Sequence, residues 1–126
     1  IPVVAYIADS VGTQAEAITV RALAVLDIRA GVYMIRELIV GACLGAMLGV
    51  MGGAGALVIS RSLRIALVVT LSLFTASTIA SVLASAIPIT FRALNKDPAL
   101  GSGPLATAMQ DILSVLIYFF IAWALL

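Results

Sequence analysis

Four apolar runs, each long enough to cross a bilayer, alternate with short clusters of charge along the chain. A spanning helix needs about 20 predominantly apolar residues. In lipid, a helix is also the one way for an unpaired segment to satisfy its own backbone. The runs cover residues 1–26, 38–59, 65–91 and 104–126, and they predict an all-α integral membrane fold. It would be a single transmembrane domain of four helices, with no internal repeat relating them.

The runs differ in texture. From Leu38 to Ile59 there is no charge, and Gly41, Gly45, Gly49 and Gly53 recur every four residues. Small residues at that spacing place a smooth stripe on one helical face, where a second backbone can come close. Packing inside one subunit and contact between subunits both fit this stripe. The cluster Gly52-Gly53-Ala54-Gly55 also permits a bend. From Ile65 to Phe91, Thr70, Ser72, Thr75, Ser77, Thr78, Ser81 and Ser85 look scattered around the helix. Most are expected to bond their own chain's carbonyl one turn back. Pro88 is expected to kink the last turns. Residues 27–37, with Arg29, Gly31 and Arg36, predict a loop. Arg61 and Arg64 mark the next turn, and Arg92, Lys96 and Asp97 mark a return to water.

The first run is unusually polar, holding Asp9, Ser10, Gly12, Thr13, Gln14, Glu16 and Thr19. Asp9, Thr13 and Glu16 fall on one face at i, i+4 and i+7. Such a helix cannot face lipid all round and belongs inside a bundle or beside water. The last run follows a turn, D-P-A-L-G-S-G-P, with Ser102 expected as the helix cap and Pro104 in the first turn. At 1.5 Å per residue it would span ~34 Å and bury Asp111 ~10 Å from its start. Thr107, Asp111, Ser114 and Tyr118 form one stripe, with Tyr118 and Trp123 as packing or interfacial aromatics.

Composition agrees with a membrane chain: 63% of the 126 residues are hydrophobic and only 10% charged, against roughly one quarter charged in soluble domains. A net charge of +1 argues against nucleic acid as a partner. With no His and a single Cys, Cys43, a thiolate or imidazole metal site within one chain is excluded. Oxygen ligands and hard cations remain. Cys43 is expected only to pack. Arg21, Arg29, Arg36, Arg92 and Lys96 share one side of the membrane against Arg61 and Arg64 on the other, which places both ends of the chain outside. Ile1 falls within an apolar run without an initiator Met, as in a piece of a longer chain.

Asp9, Glu16 and Asp111 carry the chemistry. Each costs about 2.5–3.5 kcal/mol at a membrane helix centre on insertion scales, and neither Asp has an evident basic partner at its depth. Protonated or hydrogen-bonded core acids would be one answer, and a cation path another. Mg²⁺ keeps much of its water and is held through one or two carboxylates, so a carboxylate with nearby hydroxyls and helix carbonyls can bind the hydrated ion and release it. Four helices enclose little space, which favours a two-fold dimer with the Asp stripe on its axis. No nucleophile–base set or cofactor motif points to an enzyme.

The string from Pro88 to Phe119, with D-P-A-L-G-S-G-P-L-A-T-A-M-Q-D at its centre, resembles the last loop and helix of the MgtE family of magnesium channels and transporters. I-P-V-V-A-Y-I-A-D-S-V-G-T-Q and Val20 to Ile28 resemble that family's second helix and its exit, and Arg36 to Leu38 with the glycine run its third. The resemblance implies a homodimer with five membrane helices per subunit, of which this chain holds the last four. It implies a pore on the dimer axis lined by residues 1–26 and 104–126. The family's pore aspartate falls on Asp111, with Thr107 contributing its backbone or hydroxyl. Where the family has a Gly-Gly-Asn-x-Gly-Asn-Gln-like run, this chain has Ala8-Asp9-Ser10-Val11-Gly12-Thr13-Gln14. Gly12 and Gln14 match, Asp9 and Thr13 depart, and Glu16 adds an acid, so the path is more anionic. The expected metal-site residues are therefore Asp111, Asp9, Thr13, Glu16 and Thr107, with Mg²⁺ as transported and pore-bound ion and no organic cofactor. The location implied is a multi-pass position in a prokaryotic plasma membrane, with lipid as the surroundings. A Na⁺- or H⁺-coupled exchanger of the same fold and a non-transporting assembly subunit are the alternatives. The family's cytosolic regulatory domains have no counterpart in this stretch.

Overall fold

A computed structural model describes residues 2–25, 27, 29–101 and 103–126. Four α-helices follow in order: α1 (Pro2–Val25), α2 (Ala30–Ser60), α3 (Leu63–Ala93) and α4 (Pro104–Leu125), with a short 3-10 turn at Pro98–Gly101 before α4. The expected all-helical architecture is present. Of the four expected spans, three, α2, α3 and α4, are long and apolar enough to cross a membrane. With 24 residues α1 has the length, but its run of polar residues from Asp9 to Glu16 takes it out of that class.

The predicted loop at residues 27–37 is another correction. From Ala30 onward these residues already belong to α2, which has 31 residues and reaches ~46 Å at 1.5 Å per residue. A helix satisfies its backbone equally well in headgroups and water, so charge at Arg36 and Glu37 marks a change of surroundings and not an end. Likewise α3 runs through Pro88 to Ala93.

α3 is the hub, packing against each of the other helices. Its buried face is made of small residues, including Ala76, Ala80, Ala84, Ser77, Ser81 and Ser85. The serines at 77, 81 and 85 thus line up at four-residue intervals, where the sequence suggested scatter. Only part of this set bonds one turn back, as Thr78 does to the Phe74 carbonyl (2.7 Å). Ser81 instead donates to the Glu37 side chain on α2 at 3.1 Å. Thr19 of α1 donates to Ser85 at 2.9 Å, with the Tyr33 hydroxyl of α2 at 3.0 Å. One buried hydroxyl group therefore ties three helices together. The apolar centre is Val4 and Ala8 of α1 against Leu73, Ala76 and Ala80 of α3, with Ile117 and Tyr118 of α4 packed on it.

The glycine stripe resolves as an internal seam. Gly41, Gly45, Gly49 and Gly53 are the buried residues of α2, and they face Ser81, Phe74, Thr70 and Ala66 in descending order along α3. That order is an antiparallel hairpin. Its turn is brief: Arg61 adopts the left-handed conformation (φ 52°) and donates its N–H to the Leu57 carbonyl at 2.8 Å. Cys43 lies on the opposite side of α2, free and exposed on the surface of the chain.

α3 ends in a Schellman arrangement. Asn95 takes the left-handed position (φ 57°), Lys96 N–H donates to Phe91 O (2.9 Å) and Asn95 N–H to Arg92 O (3.0 Å). This is the pairing that satisfies the last carbonyls of a helix. The Arg92 guanidinium then reaches back to the Leu23 carbonyl in the last turn of α1 at 2.7 Å, a favourable place for a cation.

Candidate functional site: the acidic seam of α1 and α4

α4 begins where backbone geometry demands glycine. Its cap residue is Gly103, with φ 76° and ψ −130°, a region closed to other residues. Pro104 follows in the first turn, where its missing N–H costs nothing. Ser102, expected as the cap, lies outside the described residues. The Gly103 N–H donates to Glu16 Oε1 of α1 at 2.9 Å. A carboxylate at this position also meets the positive end of the α4 dipole. Glu16 is 9% exposed while Gly103 is exposed, so the bond is part-buried, covered on the α1 side.

The five expected site residues separate into two groups. Asp111 and Thr13 are exposed, and Asp9 and Thr107 are half-buried. The two aspartates, on α4 and α1, are near enough to interact electrostatically. Glu16 is turned inward onto Gly103 and away from the face that Asp9 and Thr13 present. Its i+7 spacing from Asp9 puts it near the same face in projection, but the packing of α4 captures its side chain. Among the described residues, no three acidic or thiol side chains come together as a metal cluster.

One residue was passed over in the sequence. Gln110 is 2% exposed and its side-chain amide sits directly over Gly12 of α1, filling the space that any larger residue at 12 would occupy. The available signal was an amide next to Asp111 in an otherwise apolar helix. Two oxygens of this seam, Gln110 Oε1 and Asp9 Oδ1, are buried without a hydrogen-bond partner among the described residues. Ser114, the next member of the expected stripe, is also buried.

Because Glu16 fixes the first turn of the helix that bears Asp111, its removal is expected to loosen that turn. Glu16→Ala should cost about 1 kcal/mol, the size of one ordinary hydrogen bond, because Gly103 is exposed and its N–H can turn to water. Glu16→Gln, whose amide oxygen can still accept from Gly103, should cost clearly less. Denaturant unfolding of both variants, with amide exchange followed at the start of α4, checks this. Equal losses from the two would show that the Gly103 bond is not what matters.

Residues 1–121 match the family model described as MgtE, divalent cation transporter. The chain is 36% identical over 118 residues to a magnesium transporter MgtE of Enterococcus faecalis (strain ATCC 700802 / V583), covering 91% of this chain and 26% of that protein. It is 33% identical over 126 residues to a magnesium transporter MgtE of Bacillus subtilis (strain 168), covering 98% of this chain and 28% of that protein. The chain therefore spans about a quarter of the length of the curated relatives it matches. No solved structure matches it. Match along nearly the whole chain, in a helical bundle with three membrane-length helices, places this protein in the membrane and in the MgtE family of divalent cation transporters.

Proposed function

We propose that this chain forms the ion path of a magnesium transporter, conducting hydrated Mg²⁺ passively between two copies of itself. The observation that carries the reading is Asp111: a carboxylate exposed on the surface of α4, a helix apolar enough to span a membrane. A bare charge facing lipid is costly and marks an ion path when it faces water or a partner. Asp9 of α1 stands close to it, with Thr13 and Thr107 supplying hydroxyls on the same two helices.

Two aspartates per chain with hydroxyls beside them make a sparse site, and that suits magnesium. Mg²⁺ gives up its water reluctantly and commonly meets protein through one or two carboxylates. A second copy facing the first across a two-fold axis would double the oxygens and bury the exposed acid. Membrane potential then supplies the drive, about 2.3 kcal/mol per charge per 100 mV and twice that for a divalent ion. The names of both relatives state magnesium transport, in keeping with this reading.

The test is Mg²⁺ uptake into proteoliposomes with the membrane potential clamped. Uptake that persists when Na⁺ and H⁺ gradients are collapsed is the expected result. Uptake that stops with either gradient would make the protein a coupled exchanger of the same fold. Absence of uptake under every gradient would favour the assembly-subunit alternative. Cysteine cross-linking at positions 107 and 111 would report whether two copies face each other.

A further inference from the structure

We infer that Gln110 is a positioning residue for the ion path: its side chain is the wedge that sets how α4 is turned against α1, and so where Asp111 stands relative to Thr13. The inference rests on the reading of the path given above and concerns what fixes its geometry. α4 is apolar outward and small or polar inward. Ile112, Leu116, Phe119, Phe120 and Trp123 are exposed, while its buried residues are Ala106, Gln110 and Ser114. These three fall at i, i+4 and i+8 on one narrow face. Membrane helices are held through such faces by close packing. Alanine and serine are too short to key a rotation, so the one long side chain on the face decides it.

The wedge is closed in on both sides. On α1, a Cβ at Gly12 would run into all three heavy atoms of the Gln110 amide, Nε2 at 2.9 Å among them. Gly12 is itself buried, so the amide fills a notch that glycine leaves. On α3, the space that Gln110 and Ser114 share with Ala76 and Ala80 admits no water molecule. A side chain so confined cannot swing without moving a helix. Asp111 follows Gln110 by about 100° around α4, and Thr13 follows Gly12 in the same way on α1. The contact that locks 110 against 12 therefore places two neighbours that stand exposed. The other anchors of α4 lie away from this level: Glu16 on Gly103 at the start, and Ile117 and Tyr118 on the apolar centre further along. Placement matters to the ion, because Mg²⁺ demands near-ideal octahedral geometry and keeps its waters, while Ca²⁺ accepts variable arrangements. Loosening oxygens held at fixed positions costs Mg²⁺ more than Ca²⁺.

The test uses the full chain in proteoliposomes and two concentrations that do not depend on how much protein is folded: the Mg²⁺ giving half-maximal uptake and the Ca²⁺ halving that uptake. Gln110→Asn, one methylene shorter, should raise the first and lower the ratio of Ca²⁺ to Mg²⁺ concentrations about fivefold, the scale on which residues that touch no ligand act. Gln110→Met keeps the length without the amide and should keep the wild-type ratio. Gly12→Ala added to Gln110→Asn returns the lost volume across the seam and should recover most of the ratio, as coupling between touching residues requires. An Asn variant with the wild-type ratio, at any melting temperature, makes Gln110 a packing residue and overturns the inference. So does a Met variant that behaves like Asn, or a double variant no closer to wild type, since length across the seam would then not be what matters. If the Asn variant does not fold, Gly12→Ala alone, which pushes the wedge outward, takes its place by the same ratio. Should Asp111→Asn leave uptake unchanged, the ion-path reading fails; an effect at Asp111 with an unmoved ratio in the Gln110 variants sinks this inference alone.

Discussion

Asp111→Asn is expected to reduce Mg²⁺ flux about fiftyfold while leaving the melting temperature without Mg²⁺ within a few degrees of wild type. The side chain is exposed and near-isosteric with its replacement, so little packing is lost. What is lost is charge. With an effective dielectric constant of about 20 and a separation of about 7 Å, suited to a carboxylate facing a hydrated ion, a unit charge attracts a divalent cation by about 5 kcal/mol. If half of that lowers the permeation barrier, its removal is roughly fiftyfold in rate. Asp111→Glu keeps the charge on a longer arm and should retain a substantial fraction of flux. The measurement is indicator-loaded proteoliposomes at matched protein density. Wild-type flux in the Asn variant would remove Asp111 from the path.

The sequence shows the helices and the acid readily because both rest on local rules. Apolar runs are legible without tertiary information, and a lone Asp in such a run is conspicuous. The four-residue glycine repeat was equally legible as a stripe, though its partner was not. Periodicity says that a face is smooth, while only the fold shows that α3 covers it. Helix ends fared worse. Arg36 and Glu37 read as loop because charge marks the membrane edge, yet a helix has no reason to stop there. Glu16 is the more instructive case. Its spacing with Asp9 and Thr13 suggested an ion ligand, and the structure joins it to Gly103, 87 residues away. No local pattern reports such a bond. Gln110 is legible as an amide beside Asp111, but no local pattern shows that it lies over Gly12 of another helix.

These placements divide the acids by task. Glu16 bonds to the start of α4, Asp111 stands exposed on it, and Asp9 is half-buried on α1. The helix that carries Asp111, the acid proposed to attract the ion, is thus positioned by a second carboxylate that is bonded to the Gly103 N–H. Such separation has a physical advantage. An acid bonded to a backbone N–H at a helix start is satisfied without a cation, so the fold need not wait for Mg²⁺ to form. On the proposed function, this leaves Asp111 free to gain and lose an ion, as conduction requires.

The seam between α2 and α3 should be the least tolerant place in the chain. At Gly45 a Cβ would meet the Phe74 backbone on three atoms: the carbonyl oxygen at 2.7 Å, Cα at 3.1 Å and the carbonyl carbon at 3.3 Å. None is the end of a flexible side chain, so the helices themselves must separate. Gly45→Ala gains about 1 kcal/mol of helix propensity and loses the close contact, at about 1–3 kcal/mol for overpacking. The net is a loss of up to about 2 kcal/mol. Gly45→Leu adds three more carbons against the same wall and should exceed about 4 kcal/mol, in the range of severe core lesions. Gly41 and Gly49 share the stripe, so a shift at 45 also opens their contacts, and membrane helices held by close packing have no hydrophobic term to compensate. Gly55 is the control: no atom lies within 4 Å of a Cβ there, and Gly55→Ala should be neutral or slightly stabilising. Melting in detergent separates the three variants. The Leu variant should also lose flux in proportion to lost folded protein, with the activity per folded molecule unchanged, opposite to Asp111→Asn. A Gly45→Leu protein that melts like wild type would mean that α2 does not pack on α3 through this stripe.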